Sequence, residues 1–198
     1  MEVTDIHPLV ILFAAITTDN ILLARFLGMC PFLAVSKQVN SSLGLGTAVV
    51  FVLTCTSVLN WLVYYKLLVP YNLEYLQYIV FIIVIAAFVQ IVEMAIERIS
   101  MSLYLALGIF LPLITVNCAI LGGSLFLVSR KYTLLQTVGF GFGSGLGWML
   151  AIVAMAGIRE RMKKAKVVPQ LEGPGIALVI AGIMALAFIG FSGVLKIN

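Results

Sequence analysis

Charged residues are scarce in this sequence. Of its 198 residues only 20 are charged, 12 Lys and Arg and 8 Asp and Glu, which is 10% against about 25% in ordinary soluble domains. Hydrophobic residues make up 63%, and the mean hydropathy is +1.17. So few polar residues cannot coat a soluble core, and the composition equally excludes a disordered tail and a secreted disulfide scaffold. Of the common classes of protein, only an integral membrane protein agrees with this composition.

Three sequence patterns are also missing. The ten-residue alternation of an outer-membrane barrel is absent, and the N-terminal flank carries Glu2 and Asp5 but no Lys or Arg, so a cleavable signal is not expected. No Gly-x-Gly-x-x-Gly turn follows a strand, so no nucleotide site is expected. The alternating glycines from Gly139 to Gly147 lie inside an apolar run and are interpreted as helix-packing residues.

Long uncharged runs separate the few charges. Each run has 18 to 31 residues, and about 20 apolar residues at 1.5 Å per residue cross a hydrocarbon layer of ~30 Å. The runs are 38–65, 75–92, 99–129, 132–158 and 173–195. A first apolar stretch, 8–35, is interrupted by Asp19 and Arg25. The sequence therefore predicts an all-α integral membrane protein, a single polytopic domain over residues 1–198 with six transmembrane helices.

The positive charges indicate an orientation. Six helices put both termini on one side, where the loops carry four Lys and Arg, whereas the loops of the opposite side carry seven, five of them within 159–166. The positive-inside rule then places the 159–166 loop in the cytoplasm and both termini outside, in the periplasm. A basic loop can also bind anionic lipid or nucleic acid, but a topology signal is favoured here, and no nucleic-acid partner is expected.

The two halves of the sequence resemble each other. A serine follows six residues after Cys30 and again six residues after Cys118. If this repetition is real, a three-helix unit covers about residues 8–98 and recurs in the inverted direction over about 99–195, which is the plan of many transporters. The first and fourth helices would then enter the membrane from opposite faces.

Glycine and proline flank two of the three cysteines. Cys30 lies between Gly28 and Pro31, and Cys118 follows Pro112 and precedes a pair of glycines. Such residues loosen the helical hydrogen bonds, so the first and fourth helices are predicted to be interrupted near these cysteines, which can then meet near mid-membrane. Paired thiolates bind zinc, copper(I) or an iron–sulfur cluster, and a disulfide is the other possibility.

The number of cysteines limits the kind of metal site. An iron–sulfur cluster held only by cysteine normally takes four, so a cluster would need two further cysteines from a second chain. Cys55 lies in an apolar helical run and is interpreted as a small buried hydrophobic residue.

The two cysteine motifs resemble those of one family of membrane subunits. The first motif is residues 25–30 (RFLGMC), and the second is residues 107–120 (LGIFLPLITVNCAI). Both are similar to motifs in the family that comprises the E subunit of the Na⁺-translocating NADH:quinone oxidoreductase (Nqr) and the A subunit of the related Rnf complex. The similarity includes residues 142–153 and 190–193 and extends over nearly the whole chain.

This resemblance implies a component of the bacterial inner membrane that pairs with a homologous six-helix subunit in opposite orientation, the D subunit in Nqr or the E subunit in Rnf. Each member of the pair would supply two cysteines to one [2Fe–2S] cluster inside the membrane. Here these metal ligands would be Cys30 and Cys118, and Cys55 has no counterpart in the motifs. The cluster would carry electrons across the membrane, coupled to Na⁺ transport, while the flavins, NADH and quinone bind to other subunits. The chain would not be catalytic alone.

Features of both complexes are present. Residues 143–153 and the Met29-Cys30 pair are more similar to Nqr, and residues 68–73 and the Cys30-Pro31-Phe32 triplet are more similar to Rnf, a ferredoxin:NAD⁺ oxidoreductase. The balance favours Nqr, with Rnf as the alternative. An inverted-repeat secondary transporter or channel would explain the interrupted helices but gives the matched cysteines no role. A structural scaffold for a cofactor held elsewhere is a third possibility.

Three charged residues lie in apolar segments. A lone charge at the bilayer centre costs at least ~2.5–3.5 kcal/mol. Arg25 is therefore expected to pair with Asp19 or with a neighbouring subunit, and the alternative is that it offsets the negative charge of a cluster bound by thiolates. Glu93 lies near the cytoplasmic end of the third helix and shares a helix face with Gln90. Its carboxylate is either solvated at the interface or attracts Na⁺ at an ion entrance, because oxygen ligands suit a hard cation. The resemblance implies that an acidic residue at this position takes part in sodium uptake.

Overall fold

The computed structural model describes residues 7–99, 111–162 and 173–190, and these residues form helices and turns without a strand. The helices of the described ranges are α1 Pro8–Ile16, α2 Met29–Val35, α3 Val39–Val63, α4 Gln77–Ile99, α5 Leu111–Thr115, α6 Cys118–Ser129, α7 Leu134–Met162 and α8 Pro174–Ile189. A π-helical turn, Tyr64–Leu68, prolongs α3. A 3₁₀ turn, Glu74–Leu76, precedes α4.

Three helical segments are long and apolar enough to cross a membrane. They are Val39–Leu68, Glu74–Arg98 and Leu134–Met162, with 30, 25 and 29 residues. The second, third and fifth predicted spans are thereby confirmed. The arrangement of six spans as two inverted repeats stays a prediction, because parts of the chain, including residues 100–110 and the second half of the basic loop, lie outside the described residues.

The first and fourth predicted segments are both broken. Residues 17–28 separate α1 from α2, and residues 116–117 separate α5 from α6. Each break directly precedes the helix that carries a cysteine, since Cys30 is the second residue of α2 and Cys118 is the first residue of α6. The predicted interruptions near the cysteines are confirmed.

The glycines of α7 bring this helix close to two neighbours. A Cβ added at Gly143 would lie 2.6 Å from the carbonyl oxygen of Leu12 in α1. On the opposite side, a Cβ added at Gly145 would lie 2.8 Å from the Cα of Val50 in α3. The helix-packing role of these glycines is therefore confirmed. The contacts between α7 and its neighbours show that α1 runs parallel to α7 and α3 runs antiparallel to it. In a chain that crosses the membrane back and forth, the first span is likewise parallel to the fifth and the second is antiparallel to it.

The break of the first segment lies inside the apolar core. Ile21, Leu22 and Leu23 are at most 2% exposed, and they belong to the same cluster as the wholly buried Phe32 and Trp148. Backbone outside a helix is tolerated at membrane depth only where protein or a cavity surrounds it. The core therefore fixes the position at which α2, with Cys30, begins.

Polar bonds join the ends of α2, α3 and α7. Arg159 donates from Nη1 to the carbonyl oxygen of Leu33, at 3.0 Å, and to Ser36 Oγ, at 2.9 Å. The Val39 N–H donates to Glu160 Oε1 at 3.2 Å. The start of the predicted cytoplasmic loop is thus tied to the α2–α3 connection, while residues 163–166 of that loop lie outside the described ranges.

Candidate functional site

The sulfur of Cys118 lies against the chain break before α2. The Gly28 N–H donates to Cys118 Sγ at 2.9 Å, although 90 residues separate the two in the sequence. Cys30 follows Gly28 by two residues, so the fold brings the two cysteine motifs together. Both cysteines are free and exposed on the surface of this single chain. A second chain can therefore reach both sulfur atoms.

Gly28 is required at this point for two reasons. Its φ is +82°, in the left-handed region that favours glycine. A Cβ added here would also lie 2.5 Å from Trp148 Nε1 and 3.0 Å from both Ala119 Cβ and Asn117 Oδ1. The backbone of Gly28 can reach Cys118 because no side chain stands in the way.

Asn117 starts the helix that carries the second cysteine. It is the N-cap of α6, and its Oδ1 accepts a hydrogen bond of 3.0 Å from the Ala119 N–H. Cys118 is consequently the first residue of a 12-residue helix.

Asn20 holds the break of the first segment in place. Its side chain is wholly buried, and Oδ1 accepts hydrogen bonds of 3.0 and 3.3 Å from the N–H groups of Leu22 and Leu23. Nδ2 donates to the carbonyl oxygens of Ile16, at 3.2 Å, and Gly147, at 2.8 Å. One side chain therefore closes the turn after α1 and fastens it to α7.

Asp19 forms ion pairs with two arginines. Its distances are 3.3 Å to Arg25 Nη2 and 2.6 Å to Arg130 Nη2. Of the two partners expected for Arg25, Asp19 or a neighbouring subunit, the structure shows Asp19. Arg25 also lies over the ring of Phe126, 4.7 Å from its centroid. Burial alone would lower the pKa of Arg130, but the hydrogen bond to Tyr132 and the charge of Asp19 raise it. These ion pairs tie the first segment to the end of α6.

The two other candidate residues lie apart from this site. Cys55 is on α3, where it is half-buried and free. Glu93 is on α4, six residues before its end, and is half-buried, with no ion pair to another residue of the described ranges. The position near one end of α4 agrees with the sequence interpretation and leaves both roles of Glu93 open.

The residues around Cys118 fit half of a thiolate-bound cluster. No group of three or more His, Cys, Asp or Glu residues within the described ranges is arranged to hold a metal ion, so the two thiols would supply only part of the ligand set of such a cluster. Two buried N–H donors beside Gly28, Asn117 Nδ2 and Trp148 Nε1, have no hydrogen-bond partner. Buried donors of this kind suit the sulfur atoms of an iron–sulfur cluster.

Sequence reasoning missed three residues of the site. Asn20, Arg130 and Trp148 each act through a partner distant in the sequence, which no local pattern indicates. Asn20 could have been noticed because it is a polar residue in an apolar stretch, directly beside Asp19. A buried polar group needs hydrogen-bond partners, so such a residue is a candidate for holding the backbone in place.

Comparisons with known proteins point to one family. The profile of the family described as "Rnf-Nqr subunit, membrane protein" matches residues 9–195. The chain is 52% identical, over 198 residues, to the E subunit of the Na⁺-translocating NADH-quinone reductase of Psychromonas ingrahamii, covering 95% of this chain and 98% of that protein. It is also 52% identical, over 183 residues, to the A subunit of the Na⁺-translocating ferredoxin:NAD⁺ oxidoreductase complex of Acetobacterium woodii, covering 92% and 95%. Equal identities give no support to the sequence-based preference for Nqr.

Proposed function

Because this chain belongs to the Rnf-Nqr family of membrane subunits, we propose that it supplies Cys30 and Cys118 to an intramembrane [2Fe–2S] cluster of an ion-translocating oxidoreductase. The observation that carries this proposal is the hydrogen bond from Gly28 to Cys118 Sγ. It joins the two motifs while both thiols stay open to a partner surface. Two thiols are half of the ligand set that an all-cysteine cluster takes.

The other two ligands come, in this proposal, from a homologous six-helix subunit in the opposite orientation. The named relatives are subunits of oxidoreductase complexes, so further subunits are implied, and the flavins and NADH bind there. When bound, the cluster supplies one-electron transfer. The residues of this chain hold two of its sulfur ligands, and the core around Trp148 keeps water away from one side.

Both relatives are Na⁺-translocating by name and differ in the reaction that they serve. We therefore propose sodium-coupled electron transfer with two candidate reactions, from NADH to a quinone as in Nqr and from ferredoxin to NAD⁺ as in Rnf. The task of this subunit is the same in both. Its place is the bacterial inner membrane, with both termini in the periplasm and the 159–166 loop in the cytoplasm.

The purified complex tests the redox proposal directly. We expect visible absorbance and an electron paramagnetic resonance signal from a [2Fe–2S] cluster, with iron and sulfide in excess of the content of the soluble subunits alone. A transporter or a structural scaffold would carry no cluster between this chain and its partner. A complete complex without that additional iron, in the oxidised and in the reduced state, contradicts the proposal.

Glu93 gives a prediction about sodium. If its carboxylate attracts Na⁺ at an ion entrance, Glu93→Gln should raise the sodium concentration for half-maximal activity several-fold, because the amide keeps the oxygen but loses the charge. The measurement is the rate of electron transfer by the complex as a function of sodium concentration. Glu97→Gln is the matched control, one turn further along α4 and exposed. An equal sodium dependence of both variants and the wild type would make Glu93 a solvated interfacial carboxylate.

A further inference from the structure

Two buried N–H groups beside the cysteine site have no hydrogen-bond partner. Trp148 is wholly buried and Asn117 is 3% exposed. Their Nε1 and Nδ2 atoms are the buried side-chain nitrogens without a partner in the described ranges. A buried donor without an acceptor costs about 1–3 kcal/mol, and such groups are rare in native proteins. Both donors are therefore open to an acceptor at this place.

Both groups lie on the same side of Gly28. A Cβ added to Gly28 would be 2.5 Å from Trp148 Nε1 and 3.0 Å from the side-chain oxygen of Asn117. The N–H of Gly28 itself already donates to Cys118 Sγ. The oxygen of Asn117 is in use as the cap of α6, so its Nδ2 is free to donate elsewhere. Gly28 thus donates directly to Cys118 Sγ, and the two partnerless N–H groups belong to side chains that lie beside this glycine.

Within the proposed function, we infer that Trp148 and Asn117 join Gly28 as a set of N–H donors to the sulfur atoms of the cluster at Cys118. They touch no iron and are positioning residues. Hydrogen bonds to cluster sulfur stabilise the reduced state, which carries one more negative charge, and so raise the reduction potential. The apolar core around Trp148 excludes water, so these donors are the means by which this chain sets the potential from its own side.

The test compares the two tryptophans of the chain. Trp148→Phe removes the indole N–H and keeps an aromatic ring in the core. Trp61→Phe is the matched control, because Trp61 Nε1 donates to the carbonyl oxygen of Tyr132, outside the site. Iron content and the midpoint potential of the intramembrane cluster are measured on each purified complex, by redox titration followed by paramagnetic resonance.

We expect full iron in both variants and a lower midpoint potential in Trp148→Phe alone. A tenfold weaker stabilisation of the reduced state corresponds to about 59 mV for a one-electron couple. A second readout is the hyperfine coupling of an exchangeable proton, recorded in H₂O and in D₂O. The coupling of the indole proton should be lost in Trp148→Phe and kept in Trp61→Phe, while the couplings of the Gly28 and Asn117 protons remain in both, an effect that altered packing alone does not produce.

If Trp148→Phe does not assemble, Asn117→Ser provides the same test, because serine still caps α6 but lacks the amide N–H. It too should lower the potential. Variants that load iron and keep both the wild-type potential and the exchangeable coupling would overturn the donor assignment while leaving the proposed function in place. A wild-type complex without any intramembrane cluster would overturn both, so the two failures are distinguishable.

Discussion

Replacing either Cys30 or Cys118 by Ala should remove the intramembrane cluster and stop electron flow beyond it. A thiolate supplies both the metal–sulfur bond and negative charge, and alanine supplies neither. Reduction of the first flavin should continue, because the proposed function places the flavin sites on other subunits. The apolar helices remain, so the chain should still insert, although recovery of the partner subunit should fall because a shared cluster bridges the two chains.

Cys55→Ala is the control for this experiment. Cys55 lies on α3, outside the two motifs, so iron content and downstream flavin reduction should stay at the wild-type level. Iron content, partner recovery and downstream flavin reduction are measured together on all three variants. If the Cys30 and Cys118 variants both keep full iron and normal flavin reduction, these residues are not the ligands. If Cys55→Ala loses iron, the wrong cysteines were chosen.

Gly28→Ala should be nearly as damaging, although it changes no proposed ligand. A residue with a side chain pays about 1–2 kcal/mol in the left-handed conformation, and the added methyl group would press on the buried Trp148 at 2.5 Å. The side-chain and backbone shifts that such overpacking forces destabilise a protein by about a further 1–3 kcal/mol. The Gly28 N–H must then move away from Cys118 Sγ, together with the start of α2 and Cys30.

We therefore expect Gly28→Ala to lower the cluster content at least several-fold and to reduce thermal stability. Gly44→Ala is the matched control, because Gly44 lies in α3 with no atom within 4 Å of an added Cβ and alanine favours a helix. Iron content per chain and the midpoint of thermal unfolding in detergent are the measurements. Equal iron content in the two variants would remove Gly28 from the site.

The long spans were predictable because hydrocarbon thickness imposes a length that an uncharged run reveals. The breaks were predictable as well, since glycine and proline beside Cys30 and Cys118 weaken the helical hydrogen bonds. Hydropathy does not tell how a break is closed. The turn before α2 depends on the bond from Asn20 to Gly147, across 127 residues of sequence, and such a pairing is a property of packing.

The electrostatic surroundings were only half predictable. The cost of burying charge made a partner for Asp19 necessary, and the nearby Arg25 was the obvious one. The shorter ion pair, however, is with Arg130 at the far end of α6. In the sequence analysis Arg130 was only one of the positive charges of the loops. Which group a long side chain at a helix end contacts depends on the fold and cannot be read from the sequence.

The two glycine tracks on α7 have a mechanical consequence. One track, Gly139, Gly143 and Gly147, fits the backbone of α1, and the other, Gly141 and Gly145, fits α3. A shift of α7 by a single residue, 1.5 Å along its axis and 100° around it, would turn a side chain such as Phe140 or Phe142 into space that admits only hydrogen. α7 therefore cannot slide or rotate against α1 and α3 without steric overlap. We expect these three helices to move together, and any conformational change of the proposed function to involve the helices outside this group.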